Sequence, residues 1–307
     1  MDTKLGVGPY RTPFGTLLNP FGQVVAYVRA TALNDDDRNV ARLRVSTLAE
    51  GLKRCRAGLN DVVVVLSGHT ESITTGTYLS ATGVLKSGAQ IIGLGQGTTR
   101  PTFTFSATAS QFLVNQPNVH FHNLLFNFGG GAAITLAIDV TAASVTFSQC
   151  EFITSVSNTS RADIVMRLSA GADDFTFIRN RMRGNNAANG VVDNILVNAT
   201  VARPKFIENH ISLGVTVATV GLIRFAAIAT DCLVASNYLF SRLATSSTVL
   251  DFDAAATGEA FDNSWSIGSN QAAGTGFTVG TSGFRFGQNF GCGGVDTSGY
   301  LSPAADT

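Results

Sequence analysis

The residues of this chain best suited to chemistry are a few aspartates, arginines and histidines set at a common spacing. Asp139, Arg167, Leu196, Arg224, Asp251 and Thr278 follow one another at about 28 residues. A polysaccharide lyase would need acidic side chains for Ca²⁺ beside an Arg or Lys base, and a glycosidase would need two carboxylates about 5–10 Å apart. On successive rungs of a stacked sheet, Asp139 and Asp251 would stand about four rungs apart, roughly 19 Å, which is too far for that pair. Asp139 would instead neighbour Arg167, and Arg224 would neighbour Asp251, as ion pairs between rungs or at a subunit interface. Asp173 and Asp174, close to Arg179, Arg181 and Arg183, suggest rung-to-rung pairing, with a carbohydrate cleft as the alternative. His120 and His122 share a face, but no third or fourth metal ligand has matching spacing. Gly93-x-Gly95-x-Gly97 and Gly129-Gly130-Gly131 lack the Lys-Ser/Thr of a phosphate loop and read as turns. No Ser-centred or Cys-centred nucleophile motif occurs. Trp265 reads as core rather than as a sugar platform. No catalytic residue, cofactor or metal is expected.

The common spacing comes from a repeat. From residue 119 to residue 270, the pattern apolar–x–apolar–x–x–(Asn, Cys or Leu)–x–(usually apolar) recurs about every 28 residues. Its copies begin at Val119, Val145, Phe175, Pro204, Cys232 and Trp265, and a further copy at Phe284 arrives early. A fixed period of this size marks stacked structural units. The alternation is that of a strand. A second strand-like segment recurs in phase, from Ile138-Asp139-Val140 to Phe277-Thr278-Val279. Two strands per coil therefore describe a solenoid of parallel sheets. Cys150, Asn180, Asn209, Asn237 and Asn270 fall where a strand should turn, and stacked Asn side chains there would satisfy one another and the turn backbone. Val64 and Ile92 extend the register backwards, giving about eight or nine coils and a stack roughly 40 Å long.

Charged residues make up 14% of the 307 residues, net charge is zero and mean hydropathy is +0.21. So little charge suggests a surface buried against other copies or a larger assembly. No basic excess points to nucleic acid. The opening Met1-Asp2-Thr3-Lys4 leads into no apolar signal segment, and no apolar run is long enough to span a membrane. The four cysteines share no CxxC spacing and read as free thiols of a protein made in a cytosol. Residues 1–30 read as an extended anchoring arm: Pro-Phe-Gly occurs twice, and Tyr10, Arg11, Phe14 and Phe21 are candidate attachment residues. Residues 31–60 read as a connecting strand end and an amphipathic helix over 38–57 that caps the open stack. Residues 61–307 read as the solenoid.

Thr47–Leu66, an amphipathic helix followed by Gly, Asn-Asp and a Val run, then Ser67-Gly68-His69-Thr70-Glu71, resembles the opening of right-handed parallel β-helices of the pectate-lyase-like superfamily. Asp61 and Gly68 match that pattern, whereas Ser67 stands where Pro is usual. Gln90–Gly95 resembles the coil that follows. The resemblance implies an all-β fold, a right-handed single-stranded parallel β-helix with an N-terminal arm and capping helix. The short chain, the arm and the low charge also resemble β-helical virion proteins of tailed bacteriophages, which implies a homotrimer made in the host cytoplasm and carried on the virion. The expected role is a capsid decoration or cement protein bound to the major capsid protein or another virion protein. A tailspike-type or head-fibre protein acting on bacterial surface polysaccharide is the alternative. No nucleic acid or membrane partner is expected.

Overall fold

Each copy of the repeat bends the chain at a residue in the left-handed region. Gln149, Arg179, Glu208 and Ser236 have φ of 54, 55, 54 and 55°. The strand before the bend and the strand after it therefore join different sheets. The computed structural model describes residues 23–29, 43–131, 133–154, 161–184, 193–213, 221–241, 249–252, 256–267, 277–279, 283–292 and 300–301. Most of them form three large sheets of an all-β solenoid, parallel except where Tyr300–Leu301 pairs antiparallel with Phe290–Cys292, and Val201–Ala202 pairs with Ala229–Thr230 in a separate two-stranded sheet. The first has eleven strands and includes His120–His122, Thr146–Ser148, Thr176–Ile178, Lys205–Ile207, Cys232–Ala235 and Thr257–Phe261. The second has ten and includes Leu125–Asn127, Glu151–Thr154, Arg181–Gly184, His210–Leu213, Tyr238–Ser241, Ser264–Ile267 and Phe290–Cys292. The third has seven, from Phe112–Val114 through Ala133–Val140 to Phe277–Val279.

A coil thus has three strands, not the two expected. One copy of the motif turns a corner and supplies two of them. The coil count also differs from eight or nine. Seven strands in the third sheet give seven three-sided coils, or six rung-to-rung steps, among the described residues. The ends are two-sided there.

Inward residues stack into one core, and phenylalanine dominates it. Phe121 lies on Phe147 with centroids 4.7 Å apart and planes 10° apart, and Phe126 lies on Phe152 at 5.0 Å and 16°. Like side chains meet because like positions of the repeat pair in register, Phe121 with Phe147 and Phe147 with Phe177.

The capping helix is shorter than its apolar spacing suggests. It spans Leu48–Lys53, while Arg44–Val45 is a strand paired with Val24–Val28. β pairing wins over residues 44–45 because the edge of Val24–Val28 offers Tyr27 and Arg29 N–H groups to the Leu43 and Val45 carbonyls. Thr47 and Glu50 then form a capping box that fixes the helix start. Residues 38–42 lie outside the described residues. Leu48 and Leu52 sit in the core at the end of the stack. Glu71 accepts from the Leu48 N–H at 3.0 Å and from the half-buried Tyr78 hydroxyl, and it contacts His69 Nε2 at 3.0 Å, locking the helix to the first coil. Val24–Val28 pairs directly with Val62–Val65, so the first sheet already begins within residues 1–30.

Candidate functional site

The Asn column occupies the inside of the first corner, immediately after the left-handed residue. Asn180, Asn209, Asn237, Asn263 and Asn289 are all buried. Each Nδ2 donates to a carbonyl of the preceding coil. Asn209 Nδ2 reaches Phe177 O at 2.8 Å and Asn237 Oδ1 at 2.9 Å, while Asn209 N–H donates to the same Oδ1 at 3.0 Å. The same links run from Asn180 to Asn209 and from Asn237 through Asn263 to Asn289. Cys150 begins the column, its N–H donating to Asn180 Oδ1 at 2.8 Å, and burial pushes its thiol up to about 12. The position after Asn237 belongs to Asn263, not Asn270, which lies outside the described residues. The copy heading that coil is Gly258-Glu259-Ala260, which pairs with Leu233, Val234 and their neighbours. Trp265 lies one strand later, in the second sheet, opposite Gly291.

The outward column of the third sheet contains Asp139, Arg167, Leu196, Arg224, Asp251 and Thr278 in direct register. Arg167 holds Asp139 through two hydrogen bonds at 3.2 and 2.7 Å, and Ser169 Oγ donates to the same carboxylate at 2.7 Å. Arg224 lies 3.6 Å from both Asp251 and Asp193. Burial raises the Asp193 carboxyl above its ordinary value. Asp174 pairs with Arg203 and Arg179 with Glu208, each across one rung, so the two aspartates do not pair with the arginines of their own coil. Asp173 accepts the Ala202 N–H. Arg183 and Arg100 enclose Glu151. The exposed pairs, Asp174 with Arg203 and Arg179 with Glu208, each contribute little to stability, and every pair leaves its carboxylate occupied.

The outer face of the second sheet changes character along the stack. Beyond Glu151 its column continues with Arg181, His210, Tyr238, Ser264 and Phe290. The His210 and Tyr238 rings meet at 4.7 Å, and Tyr238 and Phe290 remain 44% and 48% exposed. The attachment candidates Tyr10, Arg11, Phe14 and Phe21 lie outside the described residues.

Reading motifs along the chain misses a polar network on the outer face of the first sheet. His120 Nε2 lies 2.6 Å from Ser148 Oγ, and His122 Nδ1 lies 2.8 Å from the same oxygen. His120 Nδ1 lies 3.3 Å from Gln90 Oε1, and Gln90 Nε2 donates to Gly88 O. The signal for it is the rung period: Gln90, His120 and Ser148 are separated by 30 and 28 residues. Burial lowers the His120 pKa to about 4, and His122, buried and close to Arg100, is lowered as well. Among the described residues, no group of three His, Cys, Asp or Glu is placed to hold a metal ion.

This histidine has a consequence for stability. An unfolded His takes up its proton near pH 6.5, whereas folded His120 resists until about 4. The folded state therefore loses ground as pH falls between those values. Because the ring is partly exposed, the loss is about 1–2 kcal/mol rather than the full shift. Urea melts at pH 7 and pH 4.5 should show that much greater acid loss in the native chain than in His120→Gln. Equal losses would contradict it.

No protein-family model, curated protein or solved structure matches this chain.

Proposed function

We propose that this chain is a structural subunit of a tailed-bacteriophage particle, a homotrimeric capsid decoration protein held on the major capsid protein through its N-terminal segment. What supports this role most is the outer face of the second sheet. Tyr238 and Phe290 stand exposed on a regular column, in a chain of zero net charge. Apolar surface of this kind on a stiff rod is suited to burial against sister chains. Three-fold closure fits a heterologous contact that ends in a ring. The Asn column and the Phe stacks supply the stiffness. A spike that cleaves surface polysaccharide has less support, because Asp139, Glu151, Asp174 and Glu208 are each held by arginine.

The test is truncation. Removing residues 1–30 would also remove the strand Val24–Val28, whose Ala26 and Val28 are fully buried. The deletion must therefore stop at residue 22. The chain lacking residues 1–22 should keep its melting temperature and its trimeric mass by light scattering, yet fail to bind particles stripped of this protein. Particles coated equally well by the truncated chain, or a monomeric mass for the full chain, would contradict the proposal.

A further inference from the structure

We propose that Ser148, His120 and Gln90 form a serine acyl-transfer site on the outer face of the first sheet, able to hydrolyse carboxylic esters of short acyl groups. The inference is independent of the structural role above. It rests on one chain of hydrogen-bond contacts whose directions follow from the orientation of the Gln90 amide. Gln90 Nε2 donates to the Gly88 carbonyl, which leaves Oε1 as the acceptor facing His120. His120 Nδ1 must then carry the proton, and Nε2 is the lone-pair nitrogen facing Ser148 Oγ at 2.6 Å. Ser148 Oγ–H donates to it. The remaining neighbour, His122 Nδ1 at 2.8 Å, donates to Ser148 Oγ, so the hydroxyl has a base on one side and a donor on the other. An oriented amide, an imidazole of one tautomer and a hydroxyl within reach are the parts a serine nucleophile requires.

The rung spacing builds the site. Gln90 pairs directly with His120, and His122 pairs directly with Ser148, so the four side chains occupy adjacent positions of one sheet face. Both imidazoles are neutral at pH 7, so His120 Nε2 carries a lone pair toward Ser148, while its burial makes it a weaker base than a free imidazole. Arg100 supplies positive charge that reaches His122. His122 is nearly enclosed, so approach is confined to the His120–Ser148 side. That restriction, and the uncharged groups at the centre, favour a small neutral acyl group such as acetyl.

In the first step Ser148 Oγ attacks the ester carbonyl carbon as its proton passes to His120 Nε2. The carbon–oxygen bond to the alcohol then breaks, and His120 returns the proton to the departing alkoxide. Water next attacks the acyl-serine, giving its proton to His120. Collapse releases the carboxylic acid, and the proton returns to Ser148 Oγ. Ser148 and His120 are the catalytic residues. Gln90 is a positioning residue, because it acts through the His120 ring.

The test uses the full-length chain, a fluorophosphonate–biotin probe and p-nitrophenyl acetate. Ser148 Oγ should displace fluoride from the probe, giving one adduct that peptide mass spectrometry assigns to Ser148. Ser148→Ala should abolish both labelling and ester hydrolysis above background. His120→Gln should slow labelling by about a hundredfold or more. Gln90→Glu, which sets a carboxylate on the imidazole N–H, should move the acid limb of the labelling rate upward by about one pH unit, whereas a merely structural Gln90 would leave that limb in place. The mapping on native protein is decisive even if a variant misfolds. A folded native chain that takes no adduct, or takes it elsewhere than Ser148, overturns the proposal, as does undiminished labelling of folded His120→Gln. Particle attachment is unaffected in either case, so failure here is distinct from failure of the structural role.

Discussion

Asn237→Ala should destabilise the solenoid by about 3 kcal/mol, read as a shift in the urea midpoint at unchanged m-value. The Asn237 amide oxygen accepts the Asn209 N–H at 3.0 Å and Asn209 Nδ2 at 2.9 Å, and Asn237 Nδ2 donates to Phe206 O at 2.8 Å and Asn263 Oδ1 at 2.9 Å. Truncation to alanine leaves the Asn209 N–H and the Phe206 carbonyl buried without those partners, and each such group costs about 1–3 kcal/mol. Asn209 Nδ2 keeps Phe177 O and Asn263 Oδ1 keeps the Asn237 N–H, so the column is broken at one rung rather than dissolved. Amide exchange should accordingly rise at residues 205–211 and 232–239 more than at residues 120–127. Asn237→Asp keeps the shape but sets an oxygen against Phe206 O and Asn263 Oδ1, and it should cost at least as much. An Asp variant as stable as the native chain would show that the column fills space rather than making hydrogen bonds.

Phe147→Ala should cost more, about 3–5 kcal/mol. The ring is fully buried, stacked on Phe121 at 4.7 Å, and near Phe126, Phe152 and Phe175 at 6.1, 6.1 and 6.3 Å. Four backbone-anchored neighbours cannot close over the void, because the rung spacing is fixed by sheet hydrogen bonds on all sides. The stacked partner gives an internal check. Phe121→Ala and Phe147→Ala together should cost less than their sum by about 0.5–1.5 kcal/mol, the coupling of an aromatic pair. Strict additivity would mean the two rings do not support each other.

The period, the strand alternation and the Asn slot are legible because parallel stacking puts equivalent residues in one chemical environment. Asn180, Asn209 and Asn237 can be read for that reason. The last coils are harder. Gly258-Glu259-Ala260 carries no apolar signature, because close backbone approach dictates glycine there: a Cβ on Gly258 would lie 2.2 Å from the Cys232 carbonyl oxygen. Trp265 therefore draws the register forward to Asn270, although its indole lies against the backbone of Gly291, where no Cβ would fit. Residues 38–57 carry helical spacing, but pairing of Arg44–Val45 with Val24–Val28 is a long-range contact that local periodicity does not encode. The corner between first and second sheets is hidden as well, because Gln149, Arg179 and Glu208 hold the left-handed conformation there in place of the glycine or asparagine that would mark it in the sequence. Ser148 and Gln90 escape motif reading because nucleophile motifs run along the chain, while this network runs across rungs.

Cryo-electron microscopy of the native particle carrying this chain tests the structural role most directly. Three-fold columns of β-solenoid on the capsid lattice, with Tyr238 and Phe290 buried between sister chains and residues 1–22 against the major capsid protein, are the predicted result. Single solenoids with that aromatic face open to solvent, or the chain found only at the tail tip, would contradict it.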